Sequence, residues 1–204
     1  MAKTQKEIVA ARKEKVEKRI AELTEQGYVK KELSANGTKI NILAIITGGV
    51  PALIMVLLFA FLHGWQKFDE MNFMLVMIIY LLSVIVHECI HGLFFAMFSK
   101  DHFKSIEFGI IWKSLNPYCY CAEPVNKLQY MTALLMPGFI LGICVGVLGI
   151  IIGNPSFTTF GALNMLSAGG DIYIAYLILK NIDKKGDLYL DHPDKPGLYV
   201  LAKD

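Results

Sequence analysis

Within a long apolar stretch the chain reads His87-Glu88-Cys89-Ile90-His91, an H-E-x-x-H pattern. Residues four apart share one face of a helix, so His87 and His91 can grip one metal ion through their imidazoles. Glu88 sits one residue on and can reach a metal-bound water as general base. The plain alternative is a helix that carries two histidines and a glutamate for packing. Three ionisable groups within five residues at membrane depth are costly without a functional reason, which favours chemistry.

A catalytic zinc usually takes three protein ligands and leaves one position for water. Asp171 is the one charged residue between Asn154 and Lys180. A lone carboxylate in a membrane helix is a functional-site hypothesis by default. It lies ~14 Å from the Lys180 end of its segment, at 1.5 Å per residue. On the same scale His91 and His87 lie ~12 and ~18 Å from Ser99, so the three groups fall at similar depth. Asp101, His102, Glu107 and Glu123 are rival third ligands, but each lies beyond the end of the His87 segment and would need the chain to fold back. Asn164 shares the helix face of Asp171 and could serve the site, or simply bond another helix.

The elements that must hold these residues are apolar. The chain has 204 residues, 54% of them hydrophobic, which is too many for an ordinary soluble domain. Four runs are long enough to span a membrane: Ile40–Leu62, Asn72–Phe98, Leu128–Ile152 and Phe157–Leu179. Gly48, Gly49 and Pro51 predict a bend or irregular turn in the first. Gly138, Gly142 and Gly146 in the third form a small-residue face for another helix. Trp65 is placed like an interfacial anchor.

Before the first run, residues 4–26 have helical spacing of Val9, Val16, Ile20 and Leu23, stopped by Gly27. Glu alternates with Lys and Arg there, so this is a solvated helix and not a nucleic-acid patch. A polar connector follows, with a turn at Asn36-Gly37, and the tail after Lys180 reads as loop. Lysine and arginine concentrate before Ile40, between the second and third runs and after Leu179. By the positive-inside rule, both termini and the middle loop are cytoplasmic in a multi-pass cell-membrane protein.

Residues 104–122 have a period of two: Ile106, Phe108, Ile110 and Trp112 alternate with Ser105, Glu107, Gly109 and Lys113, as do Tyr118, Tyr120 and Ala122 with Cys119 and Cys121. This predicts a β-hairpin turning near Ser114–Pro117. Its edge could capture an extended peptide by strand addition, making Ile106, Phe108, Ile110 and Asn116 candidate substrate contacts. The four cysteines imply no disulfide framework, and Cys119 and Cys121 read as reduced thiols on one strand face.

The HECIHGLFFAMF stretch from His87, the Phe108–Cys121 segment with its PYCYC end, and SAGGD ending at Asp171 together resemble the zincin-type membrane peptidases, small bacterial relatives of the site-2 intramembrane zinc proteases. The resemblance implies that His87, His91 and Asp171 bind zinc and that Glu88 is catalytic. Here Gly169-Gly170 precede the aspartate and Ile172 follows it, where site-2 proteases typically have an L-D-G-like setting.

The expected fold is an all-α integral membrane protein. It has four transmembrane helices, a short β-hairpin between the second and third, and a cytoplasmic N-terminal helix. Residues 1–39 form the helix and connector, 40–180 the membrane domain with its hairpin at 104–122, and 181–204 a polar cytoplasmic tail. The expected function is hydrolysis of peptide bonds in membrane-associated or transmembrane proteins, within a lipid bilayer and with no nucleic-acid partner. The alternative is a non-catalytic membrane protein that keeps a zinc site for structure or partner binding.

Overall fold

The computed structural model describes residues 5–34, 37–111, 116–181, 186–195 and 197–203. The fold is mostly helical. Among the described residues three helices are long and apolar enough to cross a membrane, which suggests a membrane protein. The first, α2 (Gly37–His63), runs unbroken through Gly48, Gly49 and Pro51, where a bend was expected. Gly48 instead lets the neighbouring backbone approach: a Cβ there would lie 2.6 Å from the Met165 carbonyl oxygen and 2.7 Å from that of Leu166. The second is α3 (Phe73–Phe98), started by the Asn72 side chain, which accepts the Leu75 N–H at 3.0 Å. It carries His87, Glu88 and His91.

The third crossing joins α4 (Lys127–Pro137), a π-helical segment (Gly138–Cys144) and α5 (Val145–Ile152). Its glycine face works as the spacing predicts. Gly138 lies against Ala168, Gly142 against Met165, and Gly146 against Met55 and Gly161.

The fourth apolar run is not one straight helix. It is α6 (Pro155–Ser167) and α7 (Gly169–Lys180), which meet at Ala168 with a bend of 49°. The two halves count as a fourth crossing only if taken together. Many large apolar side chains of α2 and α3 face outward, among them Ile45, Leu53, Phe61, Leu82 and Ile85. Such a belt suits lipid and not water.

Sheet structure exceeds the single hairpin expected of an all-α protein. The hairpin itself forms: β2 (Ile106–Ile111) pairs antiparallel with β3 (Asn116–Cys121), Ile106 opposite Cys121 and Ile111 opposite Asn116. Trp112 and the first half of the expected turn, Ser114 and Leu115, lie outside the described residues, as does Asn36, while Asn116 and Pro117 belong to β3. A second, four-stranded sheet has the order β1-β6-β5-β4, from Tyr28–Ser34, Gly197–Lys203, Leu188–Asp191 and Val125–Asn126. Both the polar connector and the tail, read as loop, are therefore strands. The tail folds because it has a core to make: Tyr189, Leu190, Leu198 and Leu201 are fully buried. Each such side chain contributes about 1.5–3 kcal/mol. Strand β1 is exposed along most of its length, so its own sequence does not specify it. Pairing with β6 over Tyr28–Ser34 does.

The N-terminal helix α1 (Gln5–Glu25) ends at Gly27, whose φ of 87° is a left-handed stop. Part of its apolar face is covered by protein. Val16 and Ile20 pack with Tyr118 and Tyr120 of β3 and with Leu190 and Tyr199 of the larger sheet.

Candidate metal centre

The bend at Ala168 creates a helix N-terminus inside an apolar run. Asp171 stands in the first turn of α7, where the helix dipole favours a carboxylate. The break is held from α2: Thr47 Oγ1 donates to the Gly169 carbonyl at 2.7 Å. Gly169 itself has no room for a side chain, because a Cβ would run into the Ala44 carbonyl. Gly170, its neighbour, faces open space.

Across from α7, α3 presents a row of polar side chains. Tyr80 meets Ser167 at 2.7 Å, Ser83 donates to Asn164 Oδ1 at 3.0 Å, and His87 Nε2 lies 3.1 Å from Asp171 Oδ2. Asn164 thus joins two helices and does not point at the carboxylate; its amide also donates to the Phe160 carbonyl at 3.0 Å. His91 completes the cluster, its Nε2 3.1 Å from His87 Nε2 and 3.5 Å from Asp171 Oδ2. Both histidines are buried. Among the described residues this is the one group of three such side chains able to hold a metal ion.

The donor set fits zinc. In a tetrahedral site with bonds of about 2.0–2.1 Å, neighbouring ligand atoms stand about 3.3–3.4 Å apart. The three separations here, 3.1, 3.1 and 3.5 Å, bracket that edge length. The tautomer of His91 fits as well. Its Nδ1 lies 2.9 Å from the Ala133 carbonyl, so Nδ1 carries the proton and Nε2 turns a lone pair to the cluster. That carbonyl is free because of Pro137. In an α-helix the acceptor at 133 would receive the N–H of residue 137, and proline has none. Pro137 and Ala133 are functional positions the sequence reading missed, although a proline four residues after any helical position flags a released carbonyl.

None of the four rival ligands, Asp101, His102, Glu107 and Glu123, belongs to the cluster, and three are engaged elsewhere. His102 Nδ1 faces the Ala96 carbonyl at 3.0 Å, Glu107 pairs with Arg12 at 2.7 Å, and Glu123 accepts the Lys100 N–H at 2.7 Å. Burial pushes the Cys121 thiol up to about 12, with Asp191 adding to the effect, and raises Cys119 as well. Both are neutral thiols at physiological pH, and neither belongs to the cluster.

Glu88 lies among His87, His91 and Asp171 and against the backbone N–H of Cys119 on β3. The phase of the hairpin explains that contact. Ala122 donates to the Ser105 carbonyl at 2.9 Å, so the even-numbered residues of β3 bond to β2. Cys119 and Cys121 therefore turn their N–H groups to the opposite edge, where no strand pairs among the described residues. Asp191 closes that edge at Cys121, accepting its N–H at 2.8 Å and the Tyr130 hydroxyl at 2.6 Å. Burial raises the Asp191 carboxyl, and those two bonds oppose the rise. The backbone groups of Ile106, Phe108 and Ile110 point to the other edge, one strand farther from Glu88. The side chains of Ile106 and Phe108 lie on Gly92 of α3, which has no Cβ to obstruct them. Asn116 opens β3 opposite Ile111.

No curated protein and no solved structure matches the chain. One family model does, described as "putative zincin peptidase", over residues 80–184. That segment is slightly more than half of the chain and contains α3 from Tyr80 onward, the hairpin and α7. The chain belongs to the putative zincin peptidase family.

Proposed function

We propose that the chain is a membrane-embedded zinc metallopeptidase acting on membrane-associated or transmembrane proteins, similar in its chemistry to the site-2 proteases. The observation that carries the reading is the convergence of His87, His91 and Asp171 donor atoms beside Glu88. When bound there, zinc supplies Lewis acidity, which polarises a peptide carbonyl and acidifies water. The Glu88 carboxylate takes the proton of the attacking water and passes it to the leaving amine. A structural site needs no such base, so Glu88 speaks against a purely structural metal.

Substrate must reach this centre as extended chain, since a helix hides its carbonyls in hydrogen bonds. The hairpin is the natural partner. Of its two edges, the one at Pro117 and Cys119 lies beside Glu88, whereas the edge of Ile106, Phe108 and Ile110 is about 4.8 Å farther out. We place the substrate on the inner edge. Asp191 at Cys121 limits how far the pairing extends. Both termini and the hairpin then lie on the cytoplasmic side of the cell membrane.

The test is metal content and cleavage of dye-labelled casein by detergent-purified protein. Wild type should hold about one zinc per chain and cut casein. Glu88→Gln should keep the zinc and lose cleavage, and Asp171→Ala should lose both. Cleavage by Glu88→Gln at the wild-type rate would refute the mechanism. Zinc retained by Asp171→Ala would move the third ligand elsewhere.

A further inference from the structure

Helix α1 buries an arginine, which needs a reason. Arg12 is 7% exposed on an otherwise charged helix. Removing a guanidinium from water is costly unless every side of it is answered. Here every answer comes from the hairpin. Arg12 Nε donates to Glu107 Oε2 on β2 at 2.7 Å, and Nη2 donates to the Tyr118 hydroxyl on β3 at 2.9 Å. The guanidinium lies 4.8 Å from the Tyr118 ring centre and 4.6 Å from that of Tyr120. Gly109, opposite Tyr118, has no Cβ to displace that ring; one would run into the Tyr118 hydroxyl. One side chain thus ties together both strands.

The other face of the same two strands meets the candidate metal centre. Ile106 and Phe108 lie on Gly92 of α3, and the Cys119 N–H lies on Glu88. The hairpin is clasped between α1 on one side and α3 on the other. On the α3 side Gly92 is a smooth seat, and among the described residues polar contact comes only near Glu88 at Cys119 and from Ser99 to Cys121 Sγ at 3.4 Å; Arg12 supplies the tie on the opposite face.

We propose that Arg12 is a positioning residue, which through Glu107, Tyr118 and Tyr120 holds the β3 edge where Cys119 meets Glu88 and an extended substrate pairs. The inference rests on the peptidase reading. Arg12 lies well before the segment matched by the family model, at 80–184, so α1 completes the site from outside that segment.

The test uses full-length, zinc-loaded protein in detergent with Arg12→Met and Arg12→Lys. The Met variant keeps the packing of the stem, and the Lys variant keeps the charge but not the fork or the stacking. Three quantities are read: zinc per chain, amide hydrogen exchange over residues 106–121, and kcat and KM for dye-labelled casein. Arg12→Met should retain zinc, because the ligands stand on α3 and α7. Its hairpin amides should exchange about tenfold faster or more. KM should rise about tenfold while kcat changes less than threefold. Arg12→Lys should fall between it and wild type. A variant that merely destabilises the fold would lose zinc together with activity; should Arg12→Met do so, the KM of Arg12→Lys decides. Wild-type KM in a variant with a loosened hairpin would overturn the inference, and so would wild-type exchange. A zinc-loaded wild type that leaves casein uncut would instead refute the peptidase reading, and the inference with it.

Discussion

The junction of α6 and α7 offers a pair of adjacent glycines with opposite surroundings. A Cβ on Gly169 would lie 2.8 Å from the carbonyl carbon of Ala44, with the oxygen nearer still, and 3.0 Å from the Gly48 nitrogen. Carbon atoms prefer about 3.5–4.0 Å, so α2 and α7 must part by about 0.7 Å or more. Backbone cannot yield as a flexible side chain would. Overpacking of this kind costs about 1–3 kcal/mol. The 2.7 Å bond from Thr47 to the Gly169 carbonyl weakens with it, a further loss of about 1 kcal/mol. Asp171 is two residues away, and its donor atom must stay within about 0.5 Å of its place to serve a metal. Gly169→Ala should therefore lower zinc affinity by about 10–100-fold. Gly170→Ala meets nothing within 4 Å. It should bind zinc as wild type does and gain up to about 1 kcal/mol of helix propensity. Chelator competition measures the affinities and thermal unfolding the stabilities. Equal zinc affinity in the two variants would refute the argument that this close approach places Asp171.

Restoring an N–H with Pro137→Ala should divert the Ala133 carbonyl from His91 and weaken zinc binding about tenfold by chelator competition; unchanged affinity would show that the carbonyl does not hold the imidazole. Proline at Cys119 removes the N–H beside Glu88, and proline at Ile110 removes one from the outer edge of β2, neither being used in the hairpin ladder. In a non-cleaving Glu88→Gln background, Cys119→Pro should weaken casein binding about tenfold and Ile110→Pro less than twofold, and the reverse order would move the substrate to the outer edge. A tag beside Trp65 should be labelled from outside intact cells, and protection there would invert the topology.

The cluster was readable before any fold was in hand because its parts obey simple spacings. His87 and His91 are one helical turn apart, and Asp171 is a charge with no business in an apolar run unless it is used. The hairpin was readable too, because Ile106 to Ile110 alternate strictly. What could not be read was tertiary in origin. Strand β1 is mostly exposed and carries three charges, so it is a strand only because β6 lies beside it. The break at Ala168 has no proline to announce it, and the only cue was Gly169-Gly170. The tail misled for a different reason. Its apolar runs are short, three residues at Leu188–Leu190 and four at Leu198–Leu201, and Pro193, Pro196 and Gly197 lie between them, which is the composition of a loop. Arg12 was one cation among many on α1, and no spacing rule separates a buried arginine from its solvated neighbours.

The larger sheet also sets an order of assembly. Tyr28 pairs with Lys203, so nearly the whole chain lies between the two partners. At roughly 5–20 residues per second, β1 waits roughly 10–35 s on the ribosome for β6 to be made. The helices that carry the two histidines and the aspartate precede both strands β5 and β6 in the chain. Val16 of α1, however, seats against Leu190 of β5 and Tyr199 of β6, and Asp191 of β5 accepts the Cys121 N–H, so these contacts need the strands that follow α7. The candidate metal ligands thus come earlier in the chain than the strands that brace the hairpin beside them. A chain cut before Gly197 would keep the three candidate ligands yet lack the strand that pairs with β1 and carries Tyr199 beneath Val16.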